Sequence, residues 1–217
     1  MQIKKIDLDN YNRKELFNSF KDRDIPYFST TCNIGVQNLK KFVKLRNISF
    51  FVSLSYIISV SVNRIPQLRH RIIDGELYEF KIVDPGYTVL LDDETFSFCD
   101  SKFFEDFDTY YEYAVAKIEE VKNRPDQKNA EKNHMFFITN IPWFSFTSFI
   151  HPYDKLYGSI PIITIGKYFE QGDSWFIPIA IQVHHGVVDG FHVGKYYDCL
   201  QELCKNPEVV LGKIKTS

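Results

Sequence analysis

A mostly apolar run over residues 175–182 leads directly into HHGVVDGFH (184–192), with two adjacent histidines, an aspartate and two glycines. An apolar run of this length predicts a buried strand over 175–185. We expect Asp189 to begin a helix over 189–204, because a carboxylate is favoured at a helix N-terminus. A buried strand that passes after a short turn into a helix restricts the fold to one in which helices pack on a sheet.

The other segments agree with this fold class. Segments 75–83 and 86–91 are strand-like, and the pair Pro85-Gly86 between them predicts a turn. Gly172-Asp173 predicts a hairpin turn. We therefore expect an α/β two-layer sandwich, with a mixed, largely antiparallel sheet and helices packed on it. The further predicted helices are 13–23, 49–64 and 102–122, the further strands are 135–141 and 160–169, and a polar surface loop covers 121–134.

The composition suits a single domain over residues 1–217. Aromatic residues make up 16% of the chain, which favours a sheet and a flat-walled pocket. A net charge of −2 with well-mixed signs argues against a nucleic-acid or membrane-surface partner. The polar N-terminus lacks a signal core, and the apolar stretch 49–62 is shorter than the roughly 20 residues that span a bilayer. With four cysteines and no C-x-x-C pair, we expect free, mostly buried thiols and a cytoplasmic protein.

The two adjacent histidines at the end of the strand are the candidate chemical groups. On an extended chain the side chains of His184 and His185 point to opposite faces, so one can face a cleft while the other packs. A histidine in a cleft can act as a general base, because the ordinary imidazole pKa of about 6.5 lies near neutral pH. A metal site is a weak alternative, since adjacent strand residues chelate poorly, and a purely structural role stays open. We interpret His192 as a helix residue.

The segment HHGVVDG (184–190) matches the H-H-x-x-x-D-G signature of the coenzyme A-dependent acyltransferase superfamily. This superfamily includes chloramphenicol O-acetyltransferases, the acyltransferase cores of 2-oxo acid dehydrogenase complexes and peptide-synthetase condensation domains. Segments spread in the expected order over nearly the whole chain resemble the chloramphenicol O-acetyltransferase family. They are YNRKELF (11–17), VNRIPQLRHRI (62–72), DGELYEF (74–80), ETFSF (94–98), IPWFSFTSF (141–149), PIITIGKYFEQGD (161–173) and PIAIQVHHGVVDGFHVGK (178–195).

The resemblance implies a coenzyme A-dependent acyltransferase fold and a direct attack on the thioester of acetyl-CoA, without an acyl-enzyme. The second histidine of the motif, His185, would be the general base that deprotonates the acceptor hydroxyl. Thr139 occupies the position of a family serine whose hydroxyl stabilises the oxyanion, although a strand threonine is common for structural reasons alone. Thr164 resembles a threonine that holds a water near the reacting centre. Asp189 would form a bidentate pair with Arg13 that pins the loop carrying His185.

The resemblance also implies binding sites and partners. Trp143, Lys167 and Tyr168 match positions that line the coenzyme A tunnel. The family forms homotrimers whose active sites lie between subunits, with the histidine of one chain facing an acceptor pocket built largely by the next. Acetyl-CoA is then the co-substrate, and no metal is needed.

Departures from the family pattern are concentrated at the acceptor pocket. Phe20 stands where the family often has tyrosine, and the segment DDETFS (92–97), which contains the predicted pocket residue Phe96, is shortened. His151 stands where an apolar residue is usual, and burying an imidazole there costs free energy unless it is hydrogen-bonded. The leading hypothesis is acetylation of a chloramphenicol hydroxyl, which would give antibiotic resistance. The alternatives are acetyl transfer to another small hydroxyl or amine compound, and a catalytically weak homologue that sequesters a ligand.

Overall fold

The computed structural model describes residues 2–126 and 132–213 of the chain. Ten strands and six α-helices lie in these two segments. The strands are β1 (Ile3–Lys5), β2 (Tyr27–Gly35), β3 (His70–Ile73), β4 (Glu76–Phe80), β5 (Asp84–Leu90), β6 (Phe96–Asp100), β7 (Met135–Asn140), β8 (Ile162–Ile165), β9 (Phe169–Gln171) and β10 (Ser174–His184). The helices are α1 (Lys14–Phe20), α2 (Gln37–Arg46), α3 (Phe50–Arg64), α4 (Phe107–Asn123), α5 (Gly190–Lys205) and α6 (Glu208–Leu211).

Seven strands form the main sheet, in the order β2-β10-β8-β7-β5-β6, with β9 paired to β10. The pairs β5/β7 and β7/β8 are parallel, and the other pairs are antiparallel. A small antiparallel sheet, β1-β4-β3, lies beside the main one. With helices packed on the main sheet, this architecture confirms the predicted α/β sandwich.

Helix α3 lies in the centre of the helical layer and contacts α2, α4 and α5. It is buried on every side from Val52 to Val62, because apolar residues alternate there with small serines. Ser59 and Ser61 donate hydrogen bonds to the carbonyls of Ser55 and Ile57, one turn earlier. Among the helices of the described segments, none combines the length and the apolar character that crossing a membrane requires.

Two local predictions on the main sheet were wrong. Pro85 and Gly86 form no turn, because β7 and β6 pair with this segment on either side and hold it as part of β5. The predicted single strand 160–169 is divided into β8 and β9 around Gly166. A Cβ atom at Gly166 would lie 2.7 Å from Pro178 and 2.8 Å from Phe146, so the chain passes here where only glycine fits.

Other boundaries and burial states also differ from expectation. Helix α4 begins after Asp106 rather than at 102, because the Asp106 carboxylate accepts the Thr109 N–H at 2.8 Å and caps the helix there. Strand β2 and helix α2 were not predicted. The predicted surface loop 121–134 overlaps the end of α4, and its residues 127–131 lie outside the described residues. All four cysteines are free, but Cys32 is exposed and Cys199 is half-buried.

The two faces of the main sheet differ in what covers them. The Tyr197 hydroxyl of α5 contacts the Thr30 hydroxyl at 3.3 Å, so the helices lie on the face to which Thr30 points. Side chains alternate along a strand, and Thr31 therefore points to the opposite face. Register places Thr31, Ala180, Thr164 and Thr139 side by side across four strands. These four residues define a row on what we call the outer face of the sheet.

Candidate active site

His185 follows directly after β10, and its backbone N–H donates to the carbonyl of Pro26 at 2.7 Å. Its imidazole stacks on Phe20, with ring centroids 4.3 Å apart, and also contacts Phe28 at 4.9 Å. The Nδ1 atom is buried and bonds to none of the described residues. Nε2 is therefore the ring nitrogen that remains available to a substrate.

His184 has a different environment. Its side chain is buried, and Nδ1 accepts the Gly186 N–H at 3.0 Å. Burial, and after it the neighbouring His185, lower the pKa of His184 to about 4, so this imidazole is neutral at physiological pH. The two histidines thus differ as the extended chain requires: His184 supports the turn, and His185 can offer a base.

Arg13 and Asp189 form an ion pair beneath the turn that carries His185. The pair is not the predicted bidentate one. One guanidinium nitrogen of Arg13 bonds to Asp189, and the other donates to the backbone carbonyl of His185 at 3.5 Å. The guanidinium thereby connects the start of α5 with the residue at the end of β10.

Asp189 also caps helix α5. Its carboxylate accepts the N–H groups of Phe191 and His192 at 3.1 and 3.4 Å, and the His192 Nδ1 accepts the Asp189 N–H at 3.2 Å. His192 therefore completes a reciprocal capping box, a structural role. Burial alone would raise the pKa of Asp189, but Arg13, His192 and the hydrogen bonds together lower it below its ordinary value.

A cavity of about 520 Å³ lies over the outer face of the sheet. Four predicted site residues line it: Thr139, Trp143, His151 and Phe96. Phe96 and Trp143 are largely exposed at its rim. Trp143, which was predicted to line the coenzyme A tunnel, lines this cavity, whereas Lys167 and Tyr168 do not. This cavity of about 520 Å³ is the large cavity of the sheet's outer face.

A second cavity of about 230 Å³ is lined by Phe50, Lys167 and Tyr168. The ammonium of Lys40 lies 3.9 Å from the centroid of the Tyr168 ring. Asn140 lines both this cavity and the large one. Asn140 directly follows Thr139 at the end of β7, so both cavities have a wall at this end of the strand.

Thr164 is the most buried of the predicted site residues, with 1% of its surface exposed. Its hydroxyl lies 2.7 Å from Nε2 of His151. The backbone N–H of His151 donates to the Gln182 side chain at 2.8 Å. Burial lowers the pKa of His151, so its imidazole is neutral near pH 7.

The structure does not bring His185 together with Thr139 and Thr164. His185 comes five residues after Ala180, which stands in register with Thr164. At about 3.3 Å per residue, this places His185 roughly 16 Å further along the sheet. Neither His185 nor its stacking partner Phe20 lines the large cavity. Within one chain, the predicted base and the predicted oxyanion donor are too far apart to act on one substrate.

Several contact residues were not identified from the sequence. Phe28 contacts His185, and the Arg23 guanidinium lies 4.1 Å from the centroid of Phe20, the ring that stacks on His185. Lys132 and Asp100 form an ion pair of 2.7 Å in the wall of the large cavity. Gln182 could have been identified from the sequence, because a polar residue within an apolar strand indicates a buried hydrogen-bond partner. Within residues 2–126 and 132–213, no three His, Cys, Asp or Glu side chains are grouped as a metal site would need.

Comparison with known proteins gives consistent matches over the whole chain. A family model described as Chloramphenicol acetyltransferase matches residues 1–201. The chain is 34% identical over 222 residues to the chloramphenicol acetyltransferase of Clostridium perfringens, covering 98% of this chain and 100% of that protein. It is 38% identical over 205 residues to that of Proteus mirabilis, covering 92% and 93% of the two chains. A solved structure of a chloramphenicol acetyltransferase superposes with a TM-score of 0.88 at 26% identity, over 94% of this chain and 100% of the other.

Proposed function

The chain belongs to the chloramphenicol acetyltransferase family, and we propose that it is a single-domain enzyme that transfers the acetyl group of acetyl-CoA to a hydroxyl of chloramphenicol. The observation that carries this proposal is the large cavity over the outer face of the sheet, which Thr139 helps to line. The large cavity, at about 520 Å³, lies in the range that holds drug-sized molecules.

The second cavity fits the coenzyme. Its walls include the aromatic rings of Phe50 and Tyr168, which suit a slender, mostly apolar arm. Lys167 adds a cation in the wall, and cations are favourable near phosphate groups. When bound there, acetyl-CoA supplies a thioester carbonyl, which is already activated towards attack by an oxygen.

The chain's own residues supply a base and a donor. Nε2 of His185 accepts the proton of the acceptor hydroxyl as that oxygen attacks. The Thr139 hydroxyl donates a hydrogen bond to the negative charge that develops on the carbonyl oxygen. Arg13 and Asp189 hold the turn that presents His185, through the ion pair and the bond to the His185 carbonyl.

The separation of His185 from the large cavity supports an assembly of subunits. In a homotrimer, His185 of one subunit would face the large cavity of the next, so that each site draws residues from two chains. We propose this trimer as the active form, located in the cytoplasm and conferring resistance to the antibiotic. His151 stands where an apolar wall residue is usual, and a polar group there can favour a different acceptor. Acetyl transfer to another small hydroxyl or amine compound is therefore the second candidate.

The proposed reaction predicts thiol release that depends on the drug. We expect the purified protein to release free coenzyme A thiol from acetyl-CoA only when chloramphenicol is present, because no acyl-enzyme forms without an acceptor. The measurement is colorimetric thiol detection with and without chloramphenicol. Retained coenzyme A binding without drug-dependent release would contradict chloramphenicol as the acceptor and would favour the second candidate.

The shared site predicts complementation between two inactive variants. Thr139→Ala should lower kcat by about 10²–10³, the usual loss for one oxyanion donor. His185→Gln should be at least as impaired, because it removes the base. In mixed oligomers, however, some sites receive His185 from one chain and Thr139 from another. Random 1:1 mixing should restore about one quarter of wild-type activity, since each site has an even chance of each intact residue.

The control for this experiment is mass spectrometry of the mixed oligomers, which verifies that subunits have exchanged. Exchange without recovery of activity would show that both residues act within one chain, and it would contradict the inter-subunit site.

A further inference from the structure

His151 is the one imidazole in the wall of the large cavity, and its position is fixed on three sides. Its backbone N–H donates to the Gln182 side chain at 2.8 Å, and the Gln182 amide donates back to its carbonyl at 3.4 Å. Its ring lies against Phe149, with centroids 5.0 Å apart. Nε2 then meets the Thr164 hydroxyl at 2.7 Å. A side chain held in this way is preorganised, so it loses little entropy on meeting a ligand.

We propose that His151 is a specificity-determining residue that donates an Nδ1 hydrogen bond to an oxygen atom of the acceptor, with Thr164 as the positioning residue that fixes the imidazole tautomer. This inference rests on the proposed function for the identity of the acceptor. It assigns Thr164 a role different from holding a water near the reacting centre.

The tautomer follows from counting hydrogen-bond partners. The Thr164 hydroxyl is buried and carries one proton, and His151 is its partner among the described residues. A buried hydroxyl that cannot donate costs about 1–3 kcal/mol, so this proton is directed to Nε2 of His151. A neutral imidazole that accepts at Nε2 carries its own proton on Nδ1.

Nδ1 is the ring nitrogen of His151 that is left for a ligand in the cavity that this residue lines. Nδ1 of His151 bonds to none of the described residues, and it is not sealed from solvent as Nδ1 of His185 is. Because the surrounding walls are largely apolar, an N–H group there favours a ligand that presents a carbonyl, hydroxyl or nitro oxygen at this position. An acceptor with only hydrocarbon at this position would leave the donor unpaired and would bind more weakly.

The first test measures the tautomer without any acceptor. We expect the ¹⁵N NMR signals of His151 to show a protonated Nδ1 and an unprotonated Nε2, with the signals assigned by their absence in His151→Leu. Thr164→Val should shift the ring towards the Nε2–H tautomer, whereas Thr164→Ser should keep the wild-type signals. An Nε2–H tautomer in the wild type, or signals unchanged in Thr164→Val, would overturn the inference even if the enzyme acetylates chloramphenicol.

The second test separates binding from chemistry. We expect His151→Leu to raise KM for chloramphenicol about tenfold, the effect of one lost hydrogen bond, while kcat changes much less. His151→Asn keeps a donor near the Nδ1 position and should restore most of the affinity. Because the two residues act together, Thr164→Val combined with His151→Leu should cost no more than His151→Leu alone.

Ile150→Leu serves as the matched control, because Ile150 is an exposed neighbour in the same segment. Its KM and its melting temperature should equal those of the wild type. All variants should unfold in one cooperative transition, and His151→Leu should melt somewhat lower because the Thr164 hydroxyl loses its partner. Additive effects, an unchanged or lower KM in His151→Leu, or no rescue by a folded His151→Asn would overturn the role in specificity. If the wild type releases no thiol with chloramphenicol, the proposed acceptor fails, and the NMR result still decides the tautomer.

Discussion

We expect the His185→Gln variant to lose about 10²–10⁴-fold in kcat for acetyl transfer, because this is the usual contribution of general-base catalysis by a positioned side chain. Glutamine keeps a planar side chain against Phe20 but cannot take a proton. Nδ1 of His185 is buried and Nε2 is the accessible ring nitrogen, so no other atom of this side chain can replace the lost function. The neighbouring His184 cannot substitute either, since its Nδ1 is engaged by the Gly186 N–H within a buried environment.

The measurement is steady-state thiol release, combined with coenzyme A affinity by calorimetry and the melting temperature of each variant. Coenzyme A affinity should stay within about twofold of wild type, since the second cavity does not include His185. His134→Gln is the matched control, because His134 lies directly before β7 and lines neither cavity. Residual activity above about one tenth of wild type, in a folded variant, would show that His185 is not the general base.

The elements that carry the strongest local signals were predictable from the sequence. Strand β10 is a continuous apolar run, α3 combines apolar residues with small serines from Val52 to Val62, and α5 begins at the expected cap, Asp189. Strand β2 was missed because the polar residues in the middle of its sequence, YFSTTCNIG, interrupt the apolar pattern, although nine residues of it pair with β10. Its tyrosine, phenylalanine, threonines and isoleucine favour a strand, and the pairing with β10 completes it.

In the candidate site, too, features set by a local sequence pattern could be predicted, and contacts between distant segments could not. The motif around His185 and Asp189 is local, and it could be recognised from the sequence alone. The stacking of Phe20 on His185 and the contact of His151 with Thr164 join segments that only the fold brings together. The separation of His185 from the row of Thr139 and Thr164 depends on strand register, which local patterns do not encode.

Breaking the ion pair between Arg13 and Asp189 should have a large effect on stability. We expect Asp189→Ala to lower the free energy of unfolding by about 3–5 kcal/mol, because it leaves the buried Arg13 guanidinium without its partner and removes the helix cap of α5. Arg13→Met combined with Asp189→Asn should recover part of this loss, since no unpaired charge remains. Activity should not recover in the double variant, because the bond from Arg13 to the His185 carbonyl is also gone.

The measurement is urea unfolding at one fixed protein concentration, since the stability of an oligomer depends on concentration. Because the pKa of Asp189 is lowered in the folded protein, the pair stabilises the fold above the ordinary aspartate pKa of about 3.9, and this contribution is lost as the pH falls further. The difference between wild type and Asp189→Asn should therefore be largest near neutral pH and shrink in acid. A difference that does not change with pH would show that Asp189 acts only through its hydrogen bonds to the helix, and that the ion pair with Arg13 contributes no stability of its own.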